Sequence, residues 1–183
     1  MTAFEDLKKI IETGTKEEKI MALESQAKTN DSKTLELIMS ELDDNDIEVR
    51  GEAFSALLLN ENNISKILID GLKSQSKNVR GYLTLVLANR NDHAAITKIA
   101  ELTADQSSLV RSCAVGALGY LRAREELQAI RRCLDDSSLE VKKSAIKSSI
   151  DVGDKNLLEK LETLSKENDP EIAKLVVLAK KNL

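Results

Sequence analysis

"NDIEVRGEAFSALL", residues 45–58, places the triplet Val49-Arg50-Gly51 inside a segment of helical spacing, although glycine in a helix interior costs about 1 kcal/mol relative to alanine. The triplet returns as Val79-Arg80-Gly81 in "SKNVRGYLTLVL", residues 76–87. With Val49 as position zero, its counterparts are Val79, Val110, Val141 and Ile172, at intervals of 30, 31, 31 and 31 residues. A fixed period in this range marks a repeat array. The triplet is then one part of a recurring unit, and the other columns of that unit test the reading.

Eleven residues before each anchor stands an aliphatic residue: Ile38, Leu68, Ile99, Ile130 and Leu161. Four after it stand Ala53, Leu83, Ala114, Ala145 and Val176; seven after it stand Ala56, Val86, Ala117, Ser148 and Ala179. Eight after it come Leu57, Leu87 and Leu118, before the column decays to Ser149 and Lys180. Offsets of 0, 4, 7 and 8 share one face of an α-helix, so the second helix of each unit buries a stripe rich in small residues. Three residues before the anchors, Asp46, Ser76, Ser107, Ser138 and Asp169 have side-chain oxygens suited to capping a helix N-terminus. Pro170, the single proline, follows at a first helical position, where its missing N–H costs nothing. Segments such as "NISKILIDGL" and "KNLLEKLETL" supply the first helix of each unit, and short polar joints such as "LDDND" link the pair. Residues 1–30 form a degenerate first unit, with Leu7 in its earlier helix and Ala22 in its later one, as expected of a terminal repeat.

The expected organisation is one all-α domain over residues 1–183, with units 1–30, 31–61, 62–91, 92–122, 123–153 and 154–183 and about twelve helices. The bulk numbers agree with it. Of 183 residues, 42% are hydrophobic and only 2% aromatic, with no Trp, a composition that favours helices and small-residue packing. The net charge of −4 lacks the basic footprint of a general nucleic-acid binder. Charge is uneven: residues 1–62 carry −8, residues 63–121 carry +3 and residues 122–183 carry +1. Two cysteines, Cys113 and Cys133, make neither a disulfide framework nor a zinc site. With no cationic leader and no apolar run near about 18 residues, a soluble protein of the reducing cytoplasm is expected.

The pattern Asp/Ser-x-x-Val-Arg-x-x-Ala-x-x-Ala-Leu, repeated every 31 residues over 31–183, resembles the HEAT repeat, and more narrowly the short HEAT-like class of phycobiliprotein lyases. The resemblance implies a right-handed α-α superhelix, a HEAT-like solenoid, with second helices on its concave face and partners held in that concavity. It also implies a structural ladder in which Asp46, Arg50, Arg80 and Arg111 bridge neighbouring units. Lys142 and Ala173 replace the arginine in the last two units, where the ladder should weaken. The same arginines could instead read phosphate or carboxylate groups, which guanidinium binds bidentately.

Chemistry is sparse. His93, the single histidine, has no oriented partner in the sequence for base catalysis or metal binding. Its isolation argues against the HEAT-like iron hydroxylases, which carry several His-Glu pairs. Neither cysteine has a neighbour that would activate a thiolate. Lack of Trp and the acidic balance argue against the HEAT-like DNA glycosylases, since base stacking calls for aromatic platforms.

The groove positions, two and six residues after each anchor, are Gly51 and Ser55, Gly81 and Leu85, Ser112 and Gly116, Lys143 and Lys147, then Lys174 and Leu178, with Tyr82 and Tyr120 alongside. Read functionally, they form a groove for a protein or peptide of acidic character, with tyrosine as a binding anchor. Read structurally, the glycines admit close helix packing and the lysines solvate a surface. A non-enzymatic scaffold without cofactor is the favoured expectation. The alternative is an accessory subunit or lyase-type helper of an enzyme assembly, with a nucleic-acid binder third.

Overall fold

The computed structural model describes residues 3–166 and 168–183. Among the described residues there are twelve α-helices and no strand. They run α1 Ala3–Thr13, α2 Lys16–Ser25, α3 Ser32–Ser40, α4 Ile47–Leu58, α5 Ser65–Gly71, α6 Lys77–Asn89, α7 Ile96–Glu101, α8 Ser108–Tyr120, α9 Leu127–Cys133, α10 Leu139–Val152, α11 Leu157–Leu164 and α12 Pro170–Asn182. Odd-numbered helices are the first of each pair and even-numbered ones the second. Tertiary contacts group the chain into two compact units, Met1–Arg90 and Asn91–Leu183, each with three helix pairs.

Within the first unit α2 packs on α4 and α4 on α6; within the second, α8 packs on α10 and α10 on α12. The periodic columns form both cores. Val49, Val79, Val110, Val141 and Ile172 are all buried, as are the columns four and seven residues later. So are the aliphatic positions of the first helices, from Ile38 to Leu161. Burying a Leu or Ile side chain contributes about 1.5–3 kcal/mol, so these columns supply the main drive for helices too short to persist alone. In the first pair the register differs by one residue from the expectation. Leu23 is fully buried, whereas Ala22 is only partly covered, because the larger aliphatic group takes the inward position.

Local sequence explains the helix starts. Asp46, Ser76 and Asp169 accept N–H groups of the turn they open, with Asp169 receiving Glu171 and Ile172 ahead of Pro170. Ser107 and Ser138 occupy the same N-cap place in extended backbone, but their side chains make no capping bond. At the other end of the second helices, the backbone turns left-handed at Asn91, Arg122 and Gly153, with φ of 56°, 52° and 74°. These three lie twelve residues past their anchors, so one conformation closes successive pairs. Glycine meets it without strain and arginine does not.

Close approach is needed at Gly119. A methyl group there would lie 2.6 Å from Ser148 Cα on α10, and Ser148 Oγ donates to Val115 O at 2.8 Å across the same contact.

Candidate binding face on the second helices

The turns between paired helices hold this face in place, and each turn is locked by its own residues. Arg50 Nη1 donates to Asp44 O and Asn45 O at 2.7 and 3.1 Å. Arg80 Nη1 does the same to Ser74 O and Gln75 O, and Arg111 Nη1 to Asp105 O and Gln106 O. The residue five before each anchor then accepts the N–H two residues on: Asp44 from Asp46, Ser74 from Ser76, Asp105 from Ser107 and Asp136 from Ser138. This column was missed in the sequence, where a polar loop residue looks like simple solvation.

The same column supplies the bridges between repeats. Arg111 grips Asp136 with Nε and Nη2 at 2.7 and 2.8 Å, and this charge-assisted pair holds the Asp136 carboxyl below its usual range. Lys19 meets Asp44 at 2.5 Å and Glu41 at 3.3 Å. Asp46, expected on the ladder, is spent on the N-cap of α4 through Glu48 N. The bridging carboxylate stands two residues earlier, since the residue at the cap turns its oxygen toward its own helix. Another bridge runs through the first helices, where Arg131 holds the buried Asp154 at 2.6–2.8 Å. The position opposite Lys142 in that register is 167, outside the described residues.

The expected groove residues divide. On the first unit, Ile47, Arg50, Gly51 and Phe54 of α4 and Tyr82 and Leu85 of α6 line an open pocket of about 360 Å³. Ile47 is 72% exposed, and a methyl group at Gly51 would meet nothing within 4 Å. Ser55 is partly covered beside it. Gly81 does not join this surface; it is buried in α6. A larger pocket of about 450 Å³ lies between α3, α5 and the start of α6, with Asp43, Asp70 and Lys73 in its mixed polar wall.

On the second unit, Tyr120 is 61% exposed, and Gly116 is partly covered with open space where a Cβ would be. Lys147, Lys174 and Leu178 are exposed. Ser112 is tied to Ser144, their hydroxyls 2.8 Å apart. Lys143, expected as a free groove cation, is instead enclosed by Glu140, Asp169 and Glu171 at 3.0–3.2 Å. Those three acids, Glu171 foremost, raise its pKa. It serves as a tie to α12, and Lys147 and Lys174 carry the positive charge that remains outward.

Reactive groups are not gathered here. His93 is exposed at the start of a short 3-10 turn. Burial pushes the Cys113 thiol up, and the buried Cys133 thiol is pushed up to about 11; both remain protonated thiols at neutral pH. Cys133 Sγ lies 3.9 Å from Thr103 O. Among the described residues no three of His, Cys, Asp and Glu are placed to hold a metal ion, and no helix is long and apolar enough to cross a membrane.

The family model for HEAT repeats matches residues 65–149 and 99–179, which together span more than half of the chain. No curated protein matches it at the sequence level. Among solved structures, the complex of CpcE and CpcF of phycocyanin lyase from Nostoc is similar at 18% identity and TM-score 0.70, over 82% of this chain and 99% of that one. A designed armadillo repeat protein in complex with a (KR)4 peptide is similar at 19% identity and TM-score 0.60, over 99% of each chain. The Escherichia coli protein YibA is similar at 23% identity and TM-score 0.62, over 98% of this chain and 67% of that one. At these identities the likeness is one of fold.

Proposed function

This chain belongs to the HEAT-repeat family, and from that premise we propose that it is a non-catalytic scaffold that binds a protein or peptide on the outward face of its second helices. The observation that carries this reading is the apolar pocket between α4 and α6, with Ile47, Phe54, Tyr82 and Leu85 around the bare backbone of Gly51. Large apolar and tyrosine side chains around an open concavity are the usual seat of a binding anchor. The locked turns favour binding as well, because a surface already ordered avoids the entropy cost of immobilising loops on association. The dispersed His93, Cys113 and Cys133 support assigning no chemistry to this face.

The test places a photoreactive phenylalanine analogue at Tyr82, and in a control at the exposed Lys66 of α5, before cross-linking in the native lysate. A defined adduct from position 82, absent from position 66 and abolished by Gly51→Leu, supports the scaffold reading; equal adducts at both positions refute it. The same adduct separates the accessory-subunit alternative, because a cross-linked enzyme subunit would assign the chain to that assembly.

A further inference from the structure

The ladder has a gap beside the pocket. Arg111 uses Nη1 for its own turn and offers Nε and Nη2 to Asp136 of the next repeat. Arg50 makes the same turn contacts through Nη1, to Asp44 O and Asn45 O. At the place in the next repeat that corresponds to Asp136 stands Ser74, whose Oγ accepts Ser76 N. Among the described residues no carboxylate therefore meets Arg50, and its Nε and Nη2 have no partner. Arg50 is the only charged residue lining the pocket, and the rest of the lining is apolar apart from the Tyr82 hydroxyl.

We propose that this pocket takes an acidic peptide segment of a partner protein, in which an Asp or Glu carboxylate closes on Arg50 Nε and Nη2 while a neighbouring Leu- or Phe-sized side chain enters between Ile47, Phe54, Tyr82 and Leu85. The proposal rests on the scaffold reading and specifies its occupant. Two parallel N–H groups of a guanidinium suit a carboxylate bidentately, and the chain itself demonstrates that fit at Asp136. A pocket of about 360 Å³ has room for one such apolar side chain. The net charge of −8 on residues 1–62 opposes an acidic ligand, in part at long range. Salt screens it beyond about 8 Å, and Lys19 and Lys16 already neutralise Asp44 and Glu48 nearby.

The experiment follows the backbone amides of the full chain by NMR during titration with blocked octapeptides, acetylated and amidated, that carry Glu-Leu, Gln-Leu or Lys-Leu at the centre of a Gly/Ser frame. The Glu-Leu peptide should shift Gly51, Tyr82 and Leu85 saturably, and the other two should bind at least about tenfold more weakly, the least expected when a charged hydrogen-bond partner is lost. Ser74→Asp installs the missing carboxylate, with Asp136 as precedent for both of its bonds. This variant should fold with unchanged or higher stability and bind Glu-Leu at least about tenfold more weakly than wild type. Unimpaired binding in Ser74→Asp overturns the proposal, as does equal binding of Glu-Leu and Gln-Leu, although the latter would leave the pocket as a binding site. Preference for Lys-Leu, or no shift with any peptide, also overturns it; the cross-linking at Tyr82 then decides the scaffold reading separately.

Discussion

Replacing Gly119 by alanine should loosen the second unit, and the same change at Gly51 should do the opposite. The added methyl at 119 would stand 2.6 Å from Ser148 Cα and Cβ, about 1 Å inside the 3.5–4.0 Å of a normal carbon contact. The obstacle is backbone, so no rotamer change relieves it and α8 must move off α10. Overpacking of this kind costs about 1–3 kcal/mol, and a rigid obstacle puts the cost at the upper end. Helix propensity returns under about 1 kcal/mol, for a net loss near 2 kcal/mol. For a chain of this size that is about 4–8 °C in Tm. At Gly51, where a methyl group meets nothing within 4 Å, the propensity gain of about 1 kcal/mol stands alone, and Tm should rise by about 2–4 °C. Thermal melts by far-UV circular dichroism measure both, and amide exchange on α8 and α10 localises the first. A Gly119→Ala chain as stable as wild type, or a destabilised Gly51→Ala chain, would refute the packing argument.

The remaining predictions concern charge and backbone. Asp136→Asn should cost about 1–3 kcal/mol in urea denaturation, since it removes a charged hydrogen-bond partner of Arg111. Its pH dependence has a definite sign: the Asp136 carboxyl is held below its usual range by the Arg111 hydrogen bond, so its contribution is full above the unfolded value and disappears as pH falls through the lower folded one. The wild type should accordingly lose more stability than the variant between about pH 5 and pH 2. Arg122→Gly should stabilise by roughly 0.5–1 kcal/mol, because arginine is held at φ 52° where Gly153 holds the equivalent place. A lower Tm for this variant would show that the Arg122 side chain outweighs its backbone strain.

Much of the fold was legible because the anchor columns obey two periods at once, the helical one within a segment and that of about 31 residues between segments. A helix with one buried face accounts for Val49, Val79, Val110, Val141 and Ile172 and for their partners at four and seven. Features that cross from one repeat to the next were harder to read. Lys143 pairs with Asp169 and Glu171 across a loop and a whole first helix, a distance to which no periodicity points. Gly119 falls in none of the periodic columns, and only the three-dimensional contact with Ser148 shows why a side chain is excluded. Half of the pocket was visible as Gly51, Tyr82 and Leu85; the exposed Ile47 and the partly covered Phe54 were not, because apolar residues outside the core of a helix carry no sequence mark of their own. The unmatched Arg50 becomes visible only when its bonds are compared with those of Arg111.

The self-contained turns also bear on how such a chain can change. Arg50, Arg80 and Arg111 each clasp carbonyls only five and six residues behind them, so the clasp travels whole with any segment cut at repeat boundaries. Recombination that exchanges one 31-residue cassette for another would carry its lock along and deliver a new set of outward side chains. A neighbouring bridge such as Arg111–Asp136 would be the part needing repair. Duplication could thus lengthen the array, and drift at positions such as Gly51 could reshape the outward surface, without the turns having to be reinvented.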